Sequence, residues 1–123
     1  MIEKFEVKLI RLKSGEDLIC FCYVEYKTNQ IFIKYPKSFY STYNTEENNE
    51  ELILFDWLPS NAFGFQEIAI SLDNILFTTF ATIEFGYRYL KELSEFLPKE
   101  SDMIEKVNNV LEQFTIPNEI TIH

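Results

Sequence analysis

The sequence predicts a mainly β fold: a small, strongly bent, five-stranded antiparallel barrel over residues 1–82, then a helical hairpin and short tail over 83–123. Three observations carry this expectation. Apolar and polar residues alternate with the period of strands through the first two thirds of the chain. Short turn signals close each alternating run, which argues for consecutive antiparallel strands. After Thr82 the apolar period changes from two to between three and four.

Phe5-Glu6-Val7-Lys8-Leu9 opens the pattern as a half-buried strand, and Lys13-Ser14-Gly15-Glu16-Asp17 turns the chain, with Gly15 supplying a permissive backbone. Leu18 to Tyr26 is apolar on both sides, as in a strand buried on both faces. Lys27-Thr28-Asn29 reads as a tight turn. Gln30 to Tyr35 reads as a third strand ending near Pro36, with Phe39-Tyr40 as an extension beyond a bend. Residues 44–51 hold no apolar residue and read as a solvated hairpin tip. Their four glutamates lack the spacing of a calcium loop. Leu52 to Leu58 makes a fourth strand closed by Pro59-Ser60-Asn61, and Phe63-Gly64-Phe65 a loop or short crossing. Glu67–Ile70 and Asn74–Phe80 are further strand-like pieces around Ser71-Leu72-Asp73.

Ile83, Tyr87, Leu90, Leu93 and Leu97 form a helical stripe widened by Phe85, Tyr89 and Phe96, and Pro98 ends it. Ser101 is the expected N-cap of a second helix, with Asp102 in its first turn and a stripe of Ile104, Val107, Leu111 and Phe114. Glu119-Ile120-Thr121-Ile122 alternates again and is suited to joining a sheet edge, its own or a neighbour's.

Composition bounds the chemistry. The chain has 123 residues, 46% of them hydrophobic, which is too apolar for disorder, and no apolar run nears the roughly 18 residues that span a bilayer. The opening Met1-Ile2-Glu3-Lys4 is not laid out as a signal peptide, so a cytoplasmic protein is expected, with no membrane partner. Charge is uneven: residues 1–44 carry seven basic and five acidic residues, whereas residues 45–123 carry four basic and fifteen acidic ones. Between 45 and 82 there are seven acidic residues and no basic one, which disfavours non-specific binding of a phosphate backbone. Cys20 and Cys22 lie two apart on one strand face, roughly 6.5 Å or more from each other, and read as buried thiols rather than a disulfide or metal pair. The one histidine is His123. No nucleophile elbow, phosphate-binding glycine loop or metal-binding helix motif is present, and Asp56 and Asp73 are isolated carboxylates. Neither an enzyme nor a cofactor is expected.

The segment Phe5–Phe80 resembles the Sm-like (LSm, Hfq-like) family, in particular its phage-encoded members of the cyanophage or marine-phage type. Gly15 stands at the turn of the family's first motif, and Leu18, Ile19, Cys22, Ile31 and Ile33 fall on its apolar positions. Ile70-Ser71-Leu72-Asp73-Asn74-Ile75 is similar to the second motif, Ile-Arg-Gly-Asn-Asn-Ile. The chain departs from the family at Glu25, Tyr26 and Gln30, where an aromatic, an Asp and an Asn are usual, and at Ser71 and Leu72, where an Arg and a Gly are usual.

The resemblance implies a homo-oligomeric ring of roughly five to seven subunits, pentamer or hexamer favoured, joined by the fourth and fifth strands, with Leu52, Leu54, Trp57, Ile75 and Phe77 as interface residues. It also implies an assembly or adaptor role, in the host cytoplasm if phage-encoded. The alternative is a divergent riboregulatory protein binding single-stranded RNA through Tyr26, Lys27, Asn29, Gln30, Ser71, Asp73 and Asn74. In that reading Tyr26 stacks, Lys27 meets phosphate and Gln30 bonds a base. A third reading is an unrelated monomeric barrel that buries its 12 Phe and 7 Tyr in its own core.

Overall fold

The structure, a computed structural model, describes residues 4–59, 67–97 and 104–112. The chain divides into two compact units: Glu6–Phe80, and residues from Ala81 onward together with Met1–Phe5.

The first unit is one antiparallel sheet of six strands: β1 (Glu6–Leu12), β2 (Asp17–Glu25), β3 (Gln30–Asn44), β4 (Asn49–Asp56), β5 (Ile68–Ser71) and β6 (Ile75–Thr79). They are ordered β4-β3-β2-β1-β6, with β5 also on β3. The expected five-stranded barrel is therefore corrected. Among the described residues the hydrogen-bonded path does not close, and the strands expected over Leu52–Leu58 and Glu67–Ile70, found as β4 and β5, divide one edge of β3 between them: β5 pairs with Gln30–Ile33 and β4 with Lys37–Asn44.

The division has a local cause. Tyr35 adopts a left-handed backbone (φ 53), and two residues, Tyr35 and Pro36, bulge against Cys20 between the Phe21↔Lys34 and Ile19↔Lys37 pairs. Proline has no N–H to lose at a bulge, so β3 runs through Pro36 as a bent strand instead of ending there. Its ladder with β4 continues to Asn44↔Asn49, leaving only a four-residue turn where a longer polar loop is expected. Asn44 Oδ1 caps that turn by accepting from the backbone N–H groups of Glu46 and Glu47, at 3.0 and 3.2 Å.

The sheet must curl. Ser71 closes β5 on β3's edge, and after the 3₁₀ turn Leu72–Asn74 the chain enters β6 on β1's edge. In a flat sheet those edges stand four strand spacings apart, about 19 Å. Four residue steps at the rise of a 3₁₀ helix reach about 8 Å, and even fully extended only about 14 Å. On one face of the curled sheet Ile10, Leu12, Leu18, Cys20, Cys22, Ile31 and Ile33 are buried together, with Val24, Trp57, Ile70, Leu72 and Ile75 packed against them. Their two-residue spacing is what places them on one face. On the opposite face of β2, Ile19 and Phe21 are fully buried as well.

In the second unit, α1 (Ile83–Phe96) is capped by Thr82, whose side chain accepts from the Phe85 N–H at 3.3 Å, and Glu84 complements the dipole in the first turn. Phe85, Gly86, Tyr89, Leu90 and Leu93 form its buried stripe. The C-cap, Leu97, is extended (ψ 137), the conformation favoured before a proline. A second helix, α2, occupies 104–112 and buries Val107. The expected cap at Ser101, the crossing at Phe63-Gly64-Phe65 and the alternating run at 119–122 lie outside the described residues.

Candidate functional site

Two turns far apart in sequence meet at one end of the sheet. Tyr26 to Asn29 reverse the chain between β2 and β3, and the Asn29 N–H donates to the Tyr26 carbonyl at 3.2 Å. Asn29 is left-handed (φ 57), which asparagine tolerates better than most residues. Its carbonyl accepts from the Leu72 N–H at 2.9 Å, and its side-chain amide donates to Asp73 Oδ1 at 3.1 Å. Gln30 pairs with Ser71 in the ladder, and Ser71 Oγ accepts from the Asp73 N–H at 3.2 Å. The Asn74 carbonyl accepts from the Lys13 N–H at 2.8 Å, tying the β1–β2 turn to the same 3₁₀ segment.

Asn29 is thus bonded directly to Asp73 and Gln30 lies opposite Ser71, Asn74 follows in the same turn, and Tyr26 and Lys27 precede Asn29. Tyr26 is 83% exposed, presenting a bare ring, and Lys27 is exposed beside it. A free aromatic face, an ammonium and several amide groups have the chemistry to stack a base and meet a phosphate. Glu25 and Asp73 oppose an anion there, and the Asn29 amide donates to Asp73. Among the described residues no group of three or more His, Cys, Asp or Glu side chains is placed to hold a metal ion. Asp56 is engaged by Lys37 at 2.7 Å.

The five apolar interface candidates occupy different environments. Leu52 and Phe77 are exposed, on β4 and β6, and Leu54 is half-buried. Trp57 and Ile75 are half-buried against the sheet's own core, and the Trp57 indole N–H donates to Glu16 Oε2 at 3.0 Å. β4 pairs only with β3, and β6 only with β1, so among the described residues each has an outer edge without a strand partner.

Several residues at these edges escape the pattern reading. Tyr40 and Phe55 pack edge-to-face at 5.8 Å, and Tyr43 bonds to Asn48 across the β3–β4 turn. Lys8 sits over the Phe80 ring at 4.8 Å, and Arg11 over Phe77 at 5.4 Å. Arg11 also holds Asp17 through two bonds of 2.6 and 2.8 Å, and that carboxylate raises the guanidinium's pKa further. Cross-strand register produces these pairs, and only the β period of Tyr40 and Phe55 hinted at one of them. Cys20 and Cys22 are both free and buried; burial pushes the Cys20 thiol well above its ordinary pKa.

In comparisons with known proteins, no family model and no curated sequence matches this chain.

Proposed function

We propose that the chain is an Sm-like protein that assembles into a closed homo-oligomeric ring of roughly five to seven copies, pentamer or hexamer favoured. It serves as a non-catalytic assembly or adaptor platform, phage-encoded and working in the host cytoplasm. One observation carries the reading. Among the described residues the sheet ends in two strands with open outer edges, β4 and β6, both bearing exposed large apolar residues: Leu52 and Phe55 on the first, Leu76 and Phe77 on the second. Long apolar edges are an aggregation hazard that native proteins cover, and joining one copy's β4 to the next copy's β6 covers both at once. Each copy keeps one edge of each kind, and such a head-to-tail joint either closes into a ring or runs on as a filament. The curl forced by the β5–β6 link and the motif resemblance favour closure.

Light scattering on a sizing column tests this. A single species at a multiple of about five to seven is expected; a clean monomer at all concentrations rejects the ring.

The Asn29–Asp73 contact favours one alternative, RNA binding with a divergent pocket, because it gathers Tyr26, Lys27, Gln30 and Asn74 at one end of the sheet. Titration with short U-rich and A-rich RNA decides it. Micromolar binding weakened by Tyr26→Ala and Lys27→Ala supports this reading, and no binding at low salt removes it.

A further inference from the structure

The ladder between β2 and β3 stops at Asp17↔Phe39, whereas that between β3 and β4 runs on to Asn44↔Asn49. Residues 40–44 and 49–53 therefore project as a two-stranded arm. Register sorts the side chains on the arm and at its base: Tyr40, Ile53 and Phe55 share one face, and Tyr43, Leu52 and Leu54 the other. A two-stranded ribbon has no interior, so large apolar groups on both faces need cover from elsewhere. The arm is also built to keep its shape. Asn44 caps its turn and donates to Glu51 at 2.9 Å, and Tyr43 bonds to Asn48. A preformed arm loses little entropy on docking.

Charge identifies the occupant. Residues 38–59 contain no basic residue, and the arm and its turn carry Glu46, Glu47, Glu50 and Glu51. At the other end of the strand order, Lys8 on β1 and Lys13 in the turn after it lie beside β6, where Leu76, Phe77 and Phe80 are exposed, while Arg11 is engaged by Asp17. That edge too is apolar on both faces, since Phe77 pairs with Arg11 on one side and Phe80 lies under Lys8 on the other.

We propose that the acidic arm of one copy docks on the basic, phenylalanine-rich β1–β6 edge of a second copy, so that assembly is held head to tail by charge as well as by apolar contact. This rests on the ring reading and adds to it the arm and its electrostatic partner. Arm-to-arm pairing would set four glutamates against four, which like-charge repulsion disfavours. The areas agree. At about 100 Å² for each half-exposed side chain, the three large groups on the arm, Phe55 at its base and the three on the edge offer roughly 700 Å². The apolar share of an ordinary 1,600 Å² interface is about 900 Å².

The test is a dilution series by analytical ultracentrifugation at about 50 and 500 mM salt, on the full chain and on the variants E47K/E50K, K8E/K13E and their combination. Each reversal is expected to weaken assembly by about tenfold at low salt and less at high salt, and the combination to restore it to within about threefold. An oligomer whose dissociation ignores salt, or a combination no better than either reversal, overturns the docking mode while leaving the ring intact. A full chain that stays monomeric overturns the ring reading itself, and this proposal with it. The salt series on the unmodified chain decides between these outcomes even if a variant fails to fold.

Discussion

Asn29 does two separable jobs, and a pair of substitutions divides them. Its left-handed backbone (φ 57) turns β2 into β3, and its amide holds Asp73 at 3.1 Å across 44 residues of sequence. Asn29→Gly keeps the backbone freedom and loses the bond. Both partners are exposed, so the bond to a carboxylate is discounted to about 0.5–1 kcal/mol. Asn29→Ala loses the bond and also puts an ordinary side chain, without asparagine's tolerance, in the left-handed region, a further cost of about 1 kcal/mol. The expected losses are thus about 0.5–1 kcal/mol for Gly and about 1.5–2 kcal/mol for Ala. Urea unfolding at fixed protein concentration, followed by the fluorescence of the single tryptophan, Trp57, measures both. In a cycle with Asp73→Ala, the coupling to Asn29→Gly should be about 0.5 kcal/mol or more. An Ala variant as stable as the Gly variant refutes the backbone argument, and zero coupling refutes the link between the two turns.

Four further outcomes follow from the core and the turns. Leu18→Ala removes a fully buried side chain from the curled sheet and should cost about 2–5 kcal/mol, seen as a lower urea midpoint at unchanged slope. Gly15→Ala meets open space but imposes a side chain at φ 96, so a loss of about 1 kcal/mol is expected in thermal unfolding. Cys20 and Cys22 should resist a thiol reagent in the native state and react fully once the chain is unfolded. Because burial raises the Cys20 pKa, its neutral thiol contributes stability that is fully present below the unfolded value of about 8.5. That contribution is lost as pH rises toward the raised folded value, so Cys20 should lower the urea midpoint on the alkaline side.

Much of the fold was legible because the core obeys a two-residue period: Leu18, Cys20 and Cys22 announce one face of β2, and Ile31 and Ile33 one face of β3. The helix start at Thr82 was legible too, through the change of period, whereas the capping bond of its side chain shows only in the structure. The arm was not. Its residues alternate polar groups with tyrosines because both faces look outward, so Asn44 to Glu51 reads as loop where a ladder persists. Nor did composition reveal that Pro36 sits in a bulge, since only pairing with β2 makes a left-handed Tyr35 tolerable. For the candidate site, turn chemistry located Lys27 and Asn29 and the motif resemblance added Tyr26, but no local rule joins Asn29 to Asp73. Trp57 and Ile75 show the limit of reading aromatic and aliphatic residues as interface: each also has core neighbours in its own sheet.

The bulge at Tyr35 and Pro36 also divides β3 dynamically. Before it, Ile31 and Ile33 are flanked by ladders on both sides and buried to 0% exposure; after Phe39, the strand has one partner and solvent around it. One continuous strand thus joins two cooperative units of different opening free energy. Backbone amides near Ile31 should exchange with solvent only through global unfolding, and those within 40–44 through a local opening that leaves the core untouched. The far end of β3 can therefore melt and re-form without disturbing the fold that carries it.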